Sequence, residues 1–328
     1  MARTRRMVMT GLAALPASAL LGPHAQAAFP DRTIRIVVPF AAGGNADVVG
    51  RIIADVVGSA LQQPAVVDNR PGAGGAVGAE FAMRAIADGY TLMIASNGPM
   101  TVNPFINARL GYAPLTDFAP VALTSYFPHV LIVSENSSIK TIGDLIERSK
   151  SRSVNIGTSG IGSATHMTLA RFEHAAGAKI NHVPYRGGGS LLPDVMSGAI
   201  DGAMTEFSIA LQLHKAKQVR IIGTAANARS ALAPEIPTFA ESGVKGFLAQ
   251  SYIGVVAPAK TPVEEIETLA RVIQRGFAPG TPAVQKLIGQ GADIAEPREM
   301  TPAGFAAYLR REYDETAEAA KIAGIVPG

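Results

Sequence analysis

Two glycine-containing turns hold the residues of this sequence that are best suited to bind a ligand. The first covers residues 40–47, after a β-branched stretch at residues 34–40, and the second covers residues 158–166. In each case the pattern predicts a strand, a turn and then a helix. Backbone N–H groups then point out of the turn, and the helix dipole adds about half a positive charge. Two such turns in one chain indicate a site for an anion.

Side chains near these turns could add specificity, although each also has an ordinary structural interpretation. Asn45 stands where a helix cap is expected, and Asp47, in the first helical turn, favours holding the turn over contacting a ligand. His166 is placed either to touch a ligand or to be a buried histidine bonded to backbone. Arg186, in a third glycine-rich loop, could pair with a carboxylate or remain solvated. Glu206 ends a predicted strand, and if it faces a cleft it favours a ligand with an ammonium or another hydrogen-bond donor.

No arrangement of residues typical of an enzyme or a metal site is present. The chain has no cysteine, its histidines lack metal-ligand spacing, and Ser159 lacks the Gly-x-Ser-x-Gly frame of a serine hydrolase. The pair Gly72 and Gly74 is not completed by the third glycine of a dinucleotide fingerprint, since Val77 stands there. We therefore expect no enzyme activity, no cofactor and no bound metal. A secreted hydrolase is the weakest alternative.

Residues 1–27 have the features of an export signal. Arg3, Arg5 and Arg6 precede an uncharged, mostly apolar stretch that is too short to span a membrane, and Ala25-Gln26-Ala27 fits a cleavage site. We expect cleavage near Ala27 and an exported, periplasmic protein without a membrane-inserted segment. Both the Sec and the Tat route stay open.

Charge argues against a nucleic-acid partner. The 328 residues include 29 Lys and Arg against 26 Asp and Glu, and three of those arginines lie in the predicted signal, so the mature chain has equal numbers of both signs. A neutral chain has no basic field for nucleic acid or an anionic membrane. With 48% hydrophobic residues, the protein can be stable through its core without disulfides.

The order of the predicted elements indicates an α/β protein with two domains. Strands and helices alternate through residues 34–95, which predicts a mostly parallel sheet flanked by helices. Two strands within residues 118–134, interrupted by Pro120 and Pro128, are expected to cross into a second domain that repeats the pattern. We place domain 1 at residues 28–125, domain 2 at residues 126–249, and a return to domain 1, with the C-terminal helices, at residues 250–328.

Several motifs together resemble one family of bacterial solute receptors. They are Phe29-Pro30-Asp31-Arg32, Ile36-Val37-Val38-Pro39-Phe40, Asn69-Arg70-Pro71-Gly72, Asp88-Gly89-Tyr90-Thr91-Leu92 and His182-Val183-Pro184-Tyr185-Arg186-Gly187. The sequence is identified as a member of the substrate-binding proteins of tripartite tricarboxylate transporters (TTT), also called the Bordetella uptake gene (Bug) family. The resemblance covers essentially the whole mature chain. Asn45-Ala46 and the strand end at Glu206 depart from the family pattern.

The resemblance implies a periplasmic-binding-protein (Venus flytrap) fold, in which two α/β domains close on a small carboxylate. It also implies delivery of that carboxylate to a two-subunit inner-membrane permease, while a receptor that feeds a membrane signalling partner stays open as an alternative. The ligand could be a di- or tricarboxylate, an aromatic acid or an amino acid, and we expect a monomer. The predicted ligand-binding residues are Phe40, Ala41, Ala42, Gly43, Gly44, Asn45, Asp47, Asn97, Thr158, Ser159, Gly162, Ser163, His166, Tyr185, Arg186 and Glu206.

Overall fold

The computed structural model describes residues 29–322, and the predicted export signal lies outside this part of the chain. Short strands alternate with helices along most of the described chain, as the sequence predicts. The strands are β1 (Ile34–Val38), β2 (Ala65–Asn69), β3 (Thr91–Ala95), β4 (Phe118–Ser134), β5 (Val154–Thr158), β6 (Ile180–Pro184), β7 (Gly202–Glu206), β8 (Val219–Thr224), β9 (Gln250–Pro258) and β10 (Asp293–Ile294).

The helices bury one face each against these strands. In α1 (Asn45–Leu61), for example, Val49, Ile52, Ile53 and Val57 are buried at helical spacing. The others are α2 (Ala76–Met83), α3 (Asn103–Ile106), α4 (Pro114–Asp117), α5 (Ile142–Ser151), α6 (Ala164–Ala176), α7 (Leu192–Ser197), α8 (Phe207–Lys215), α9 (Val263–Gly276), α10 (Pro282–Ile288) and α11 (Pro302–Ile322), with a 3₁₀ turn at Ala73–Gly75 and a π-helical turn at Gly98–Val102.

The strands pair in the order β2-β1-β3-β9-β4-β7-β5-β6, and β8 and β10 also pair with β4. In what we call the first lobe, β1, β2 and β3 are parallel, and β9 runs against both β3 and β4. In the second lobe, β5, β6 and β7 are parallel, and β4 runs against β7 and β8. Each lobe therefore has four strands pointing one way, so that the carboxyl ends of several strands meet at one edge.

Strand β4 corrects one expectation from the sequence. Pro120 and Pro128 do not divide the segment into two strands, because both residues are paired with β9 inside a single 17-residue strand. The register of that pairing shifts next to Pro120, and a bulge is a place where a strand tolerates the missing N–H of proline. Residues 118–128 of β4 pair in the first lobe and residues 129–134 in the second, so this strand joins the lobes.

Buried apolar side chains are distributed over both lobes. One cluster combines residues from 34 to 127 with residues from 252 to 309, and two further clusters draw only on residues from 130 to 247. The division into domains at residues 126 and 250 stays a prediction, and this distribution of the cores supports it.

Candidate functional site

A cavity of about 30 Å³ lies between the two lobes, at the carboxyl ends of β1, β3, β5 and β7. The N-termini of α1 and α6 border it from opposite sides, and α8 begins beside it. Both predicted turns therefore meet in one place. The lining residues are Phe40, Gly44, Asn45, Ala46, Ser96, Gly98, Ser159, Ser163, Ala164, Gly188, Glu206, Ser251 and Ile253.

The first turn is held in shape by Asp47. Its carboxylate accepts the Gly43 N–H at 3.0 Å, two bonds from the Arg51 guanidinium and one from the Asn69 amide at 3.0 Å. Burial by itself raises the pKa of Asp47, but these donors outweigh it and hold that pKa below its usual value. Both oxygens of Asp47 are thus engaged by the protein, which agrees with the structural interpretation of this residue.

The expected capping role of Asn45 is wrong. Gly44 occupies the N-cap position with extended backbone and without a side-chain cap, and Asn45 is the first helical residue. Its side chain turns into the interface, where Asn45 Oδ1 accepts a 3.3 Å hydrogen bond from Ser208 of the second lobe. Gly189 of the second lobe lies against this turn, and a Cβ on Gly189 would come within 3.2 Å of the backbone of Gly43 and Gly44.

The second turn is fixed by hydroxyl groups. Ser163 caps α6 and accepts the His166 N–H at 3.2 Å, and Thr165 accepts the Ser159 N–H at 3.0 Å. Thr158 lies behind the turn, where its hydroxyl bonds to His182 at 2.7 Å. Ser159 and Ser163 are the two residues of this set that line the cavity.

Of the two roles considered for His166, the structure agrees with a buried histidine that bonds to backbone. Its ring stacks on His182 at 4.2 Å between centroids, and its Nδ1 accepts the Gly162 N–H at 3.3 Å. Burial lowers the pKa of both rings, and the neighbouring His166 lowers that of His182 further, to about 4. His166 lies next to the cavity without lining it.

The lobes contact each other on both sides of the cavity. On one side the Ala41 N–H donates to the Arg186 carbonyl at 3.2 Å. On the other side Gly74 meets the backbone of Ile161 and Gly162 so closely that a Cβ on Gly74 would collide with both. The remaining predicted positions, Ala42 and Gly43, are exposed on the outer side of the first turn.

Three residues predicted to bind the ligand do not line the cavity. The Tyr185 hydroxyl donates to Asp194 at 2.5 Å, and burial followed by this bond raises the pKa of Tyr185 to about 12. The Arg186 side chain is exposed. Asn97 Oδ1 accepts the Tyr252 N–H at 3.1 Å, which ties the end of β3 to β9. Their assignment to the ligand site stays a prediction.

Two buried donors face the cavity. Asn45 Nδ2 and Ser96 Oγ lack a hydrogen-bond partner within residues 29–322, although both residues are about 95% buried. Buried polar groups in proteins are nearly always hydrogen-bonded, so two such groups at one small cavity need an explanation. Together with the free N–H groups at the starts of α1 and α6, they make the cavity rich in donors.

Comparison with known proteins identifies the family. The model of the TctC family, described as "Tripartite tricarboxylate transporter family receptor", matches residues 49–307. The chain belongs to this family. BugT of Bordetella pertussis is 30% identical over 292 residues, covering 88% of this chain and 89% of BugT. The structure of the periplasmic binding protein BugD is similar with a TM-score of 0.87 and 28% identity, covering 92% of this chain and 100% of BugD.

A further solved structure, R. palustris Rpa4515 with adipate, has a TM-score of 0.86 and 30% identity, covering 92% of this chain and 100% of that one. The resemblance and the periplasmic-binding-protein fold predicted from the sequence are confirmed. Because these relatives are binding proteins, the expectation that the chain is not an enzyme is confirmed as well. Within residues 29–322, no helix has the length and apolar character needed to cross a membrane.

Several residues of this TctC receptor's cavity were missed from the sequence. Ser96 directly follows β3, and the rule that ligands bind at the carboxyl ends of strands could have found it. Gly188 lies in the third glycine-rich loop, where Arg186 is the residue whose side chain has an evident binding chemistry. Ser251 and Ile253 belong to β9, which carries no local signal of a site because only the return of the chain brings it there.

Proposed function

We propose that this chain is a periplasmic receptor that captures a small carboxylate between its lobes and delivers it to a two-subunit inner-membrane permease. The observation that carries the proposal is the pair of buried donors, Asn45 Nδ2 and Ser96 Oγ, at a cavity bordered by two helix N-termini. A ligand carboxylate would accept from these donors and from the first N–H groups of α1 and α6. The adipate in the similar structure of Rpa4515 supports this class of ligand.

Capture depends on closure of the lobes. The α1 end belongs to the first lobe and the α6 end to the second, so a ligand that bridges them binds the closed arrangement better than an open one. The cavity, about 30 Å³, has room for one or two water molecules only, so the lobes would have to separate to admit a carboxylate ligand. Closure around a ligand by motion of two domains is the usual behaviour of periplasmic binding proteins.

The first test is a binding screen on refolded mature protein, from which any ligand carried over from the expression host has been removed. Di- and tricarboxylates, aromatic acids and amino acids are compared with their neutral amides. A ligand at about a thousand times its dissociation constant adds about 4 kcal/mol of stability, which shifts the melting temperature by several degrees. A shift with an acid and none with its amide is expected. Equal shifts with both would contradict carboxylate capture.

A matched pair of variants tests the site itself. Ser96→Ala removes a donor that has no partner within residues 29–322, so we expect unchanged or slightly higher stability without ligand and an affinity about 5–10-fold lower. Thr261→Val is the control, because its hydroxyl is also buried without a partner but lies outside the cavity. It should leave affinity unchanged. Equal effects of the two variants on affinity would remove Ser96 from the site.

The permease is tested separately. Liposomes that contain a two-subunit permease of the tripartite tricarboxylate type from the same organism should take up labelled ligand only when the receptor is added. The description of the matching family as transporter receptors supports this partner. Ligand binding without any receptor-dependent uptake would favour the signalling alternative.

A further inference from the structure

Among the residues from 29 to 322 that line the cavity between the two lobes, Glu206 is the one with an ionisable side chain. It ends β7, stands at the N-cap position of α8 and is 92% buried, with 8% of its surface exposed. Nothing in a simple carboxylate ligand calls for an acidic group at this position. Two negative groups sharing a small buried space would repel each other.

A chain of buried hydrogen bonds ends on this carboxyl group. Thr168 of α6 bonds to His129 Nδ1 at 2.7 Å, and His129 Nε2 bonds to Ser251 Oγ at 2.7 Å. Ser251 then donates to Glu206 Oε1 at 3.2 Å. Ser251 donates its hydroxyl proton to Glu206, so its oxygen must accept a hydrogen bond from His129 Nε2. His129 Nδ1 then carries no proton and must accept from the Thr168 hydroxyl. Each donor in the chain thus points toward Glu206.

The second carboxyl oxygen of Glu206 also accepts a hydrogen bond from a hydroxyl group. Thr205 donates to Glu206 Oε2 at 3.4 Å, so both oxygens accept from hydroxyl groups of the protein. His129 is fully buried, and its burial, with a smaller effect of Arg171, lowers its pKa to about 3, so it supplies no positive charge here. Glu206 forms no ion pair with any residue from 29 to 322. It is therefore a buried acceptor without a counter-charge.

The cavity is consequently polar in two opposite senses. Asn45 Nδ2, Ser96 Oγ and the N-termini of α1 and α6 supply donors for an anion. Glu206 supplies acceptors for a cation. An uncompensated buried charge is costly, and burial raises the pKa of Glu206 accordingly. A cation from the ligand would offset that cost, whereas a second anion would increase it.

We propose that Glu206 binds a primary ammonium group, so that the ligand of this receptor is a small amino carboxylate and not a simple di- or tricarboxylate. The inference rests on the proposed carboxylate capture and adds the second group of the ligand. An ammonium has three donors and one positive charge, which suits a carboxylate that lines the cavity and has no cationic partner within residues 29–322. Ser251 and His129 are positioning residues, since they act through Glu206.

The test compares each amino acid with the same carbon skeleton lacking the amine. Titration calorimetry at pH 7.5 on the refolded mature protein would use pairs such as aspartate and succinate, glutamate and glutarate, and alanine and propionate, extended to all common amino acids. At least one amino acid should bind at least about 10-fold more tightly than its deaminated partner. If every deaminated acid binds as tightly as its amino acid, or if no amino acid binds, the inference is wrong.

Glu206→Gln separates the two roles that the carboxyl group could have. Glutamine keeps the size and one acceptor but removes the charge, so amino-acid affinity should fall at least about 100-fold. Retained or tighter binding in this variant would mean that Glu206 acts as a protonated donor, which overturns the inference. Ser96→Ala should weaken amino and deaminated acids alike. Binding of diacids alone, sensitive to Ser96→Ala, would leave the proposed function standing while this inference fails.

The pH dependence of amino-acid affinity shows whether Ser251 positions Glu206 or only packs against it. Amino-acid affinity should fall as the pH drops through the pKa of Glu206, because the protonated acid cannot pair with the ammonium. Ser251→Ala removes a donor that lowers this pKa, so the fall should begin at a higher pH. His129 on β4 is the titratable group that faces Glu206 through Ser251, and it stays neutral in this range. An unshifted profile in Ser251→Ala would contradict the positioning role.

Discussion

Asp47 and Glu206 are both buried acidic residues at the start of a helix, α1 and α8 respectively. Asp47 is surrounded by a guanidinium, an amide and a backbone N–H, and its pKa lies below the usual value. Glu206 has hydroxyl partners and, in the described part of the chain, no cationic partner, and burial raises its pKa. The difference in partners decides the role, because a fully paired carboxylate holds structure and an unpaired one is available to a ligand.

Asp47→Asn should lower the free energy of unfolding by about 1–3 kcal/mol, because an amide cannot accept from Gly43, Arg51 and Asn69 together. The lowered pKa means that this contribution is present above the ordinary value of 3.8 and is lost as the pH falls through the folded pKa. Arg51→Gln is the control. It removes only the half-exposed ion-pair partner and should cost less than about 1 kcal/mol. Urea unfolding measures both, and equal losses would assign the effect to the ion pair alone.

At the scale of elements, most of the short strands and the helices were predictable, and the long strand that joins the lobes was not. The units β1–α1 and β5–α6 follow from a β-branched run, a glycine turn and a four-residue apolar repeat, which are all local patterns. The long β4 was not predicted, because prolines are local breakers and the bulge that accommodates Pro120 depends on its partner β9. For the same reason the site residue Ser251 was missed, whereas Glu206 was found from its position at a strand end, a rule that applies equally to Ser96.

Gly43 and Gly162 are a matched pair for testing closure. Both begin the approach to a helix with positive φ, +82° and +79°, so alanine should strain the backbone equally and cost roughly 1–2 kcal/mol at either site. A Cβ on Gly43 would meet nothing within 4 Å, but one on Gly162 would overlap Asn103 Oδ1 and lie 2.8 Å from Ile106 of the other lobe.

We therefore expect Gly162→Ala to weaken ligand binding by more than about 10-fold and Gly43→Ala to change it little, with similar melting temperatures for both. The physical reason is that the added methyl at position 162 holds the lobes apart, and a 10-fold loss corresponds to about 1.4 kcal/mol of closure. Calorimetry gives the affinities, and small-angle scattering with and without ligand reports closure. Equal loss of affinity in the two variants would show that backbone strain in the turns, and not contact between the lobes, controls binding.

On the scale of the whole molecule, the buried histidines and the buried acids with shifted pKa values are distributed unequally between the lobes. Every histidine within residues 29–322 lies between residues 129 and 214, which is in or next to the second lobe. Burial lowers the pKa of His129 to about 3, that of His182 to about 4, and that of His166 in the same direction. In the first lobe, burial raises the pKa of Asp293 and Glu312.

These shifts have opposite consequences for stability. A histidine with a lowered folded pKa binds its proton more readily in the unfolded chain, so its lobe loses stability as the pH falls below about 6.5, by at most about 1.4 kcal/mol per pH unit for each such group. An acid with a raised folded pKa binds its proton more readily in the folded state, so its lobe gains stability as the pH falls through that folded pKa. Glu206, whose pKa is raised, likewise adds stability to the second lobe as the pH falls. It is a single group, however, and three histidines in that lobe have the opposite effect.

Lowering the pH from 7.5 to 5 should therefore reduce hydrogen-exchange protection in β5, α6 and β6 of the second lobe, while β1, α1 and β3 of the first lobe keep theirs. Exchange rates corrected for the intrinsic effect of pH, followed by mass spectrometry on peptides from both lobes, measure this difference. His182→Gln should flatten the response because it removes one of the buried rings, and His174→Gln, at an exposed position of α6, is the matched control that should not. Loss of protection that is equal in both lobes would mean that the lobes unfold as one cooperative unit, joined through β4 and β9, and that the uneven placement of histidines has no local effect.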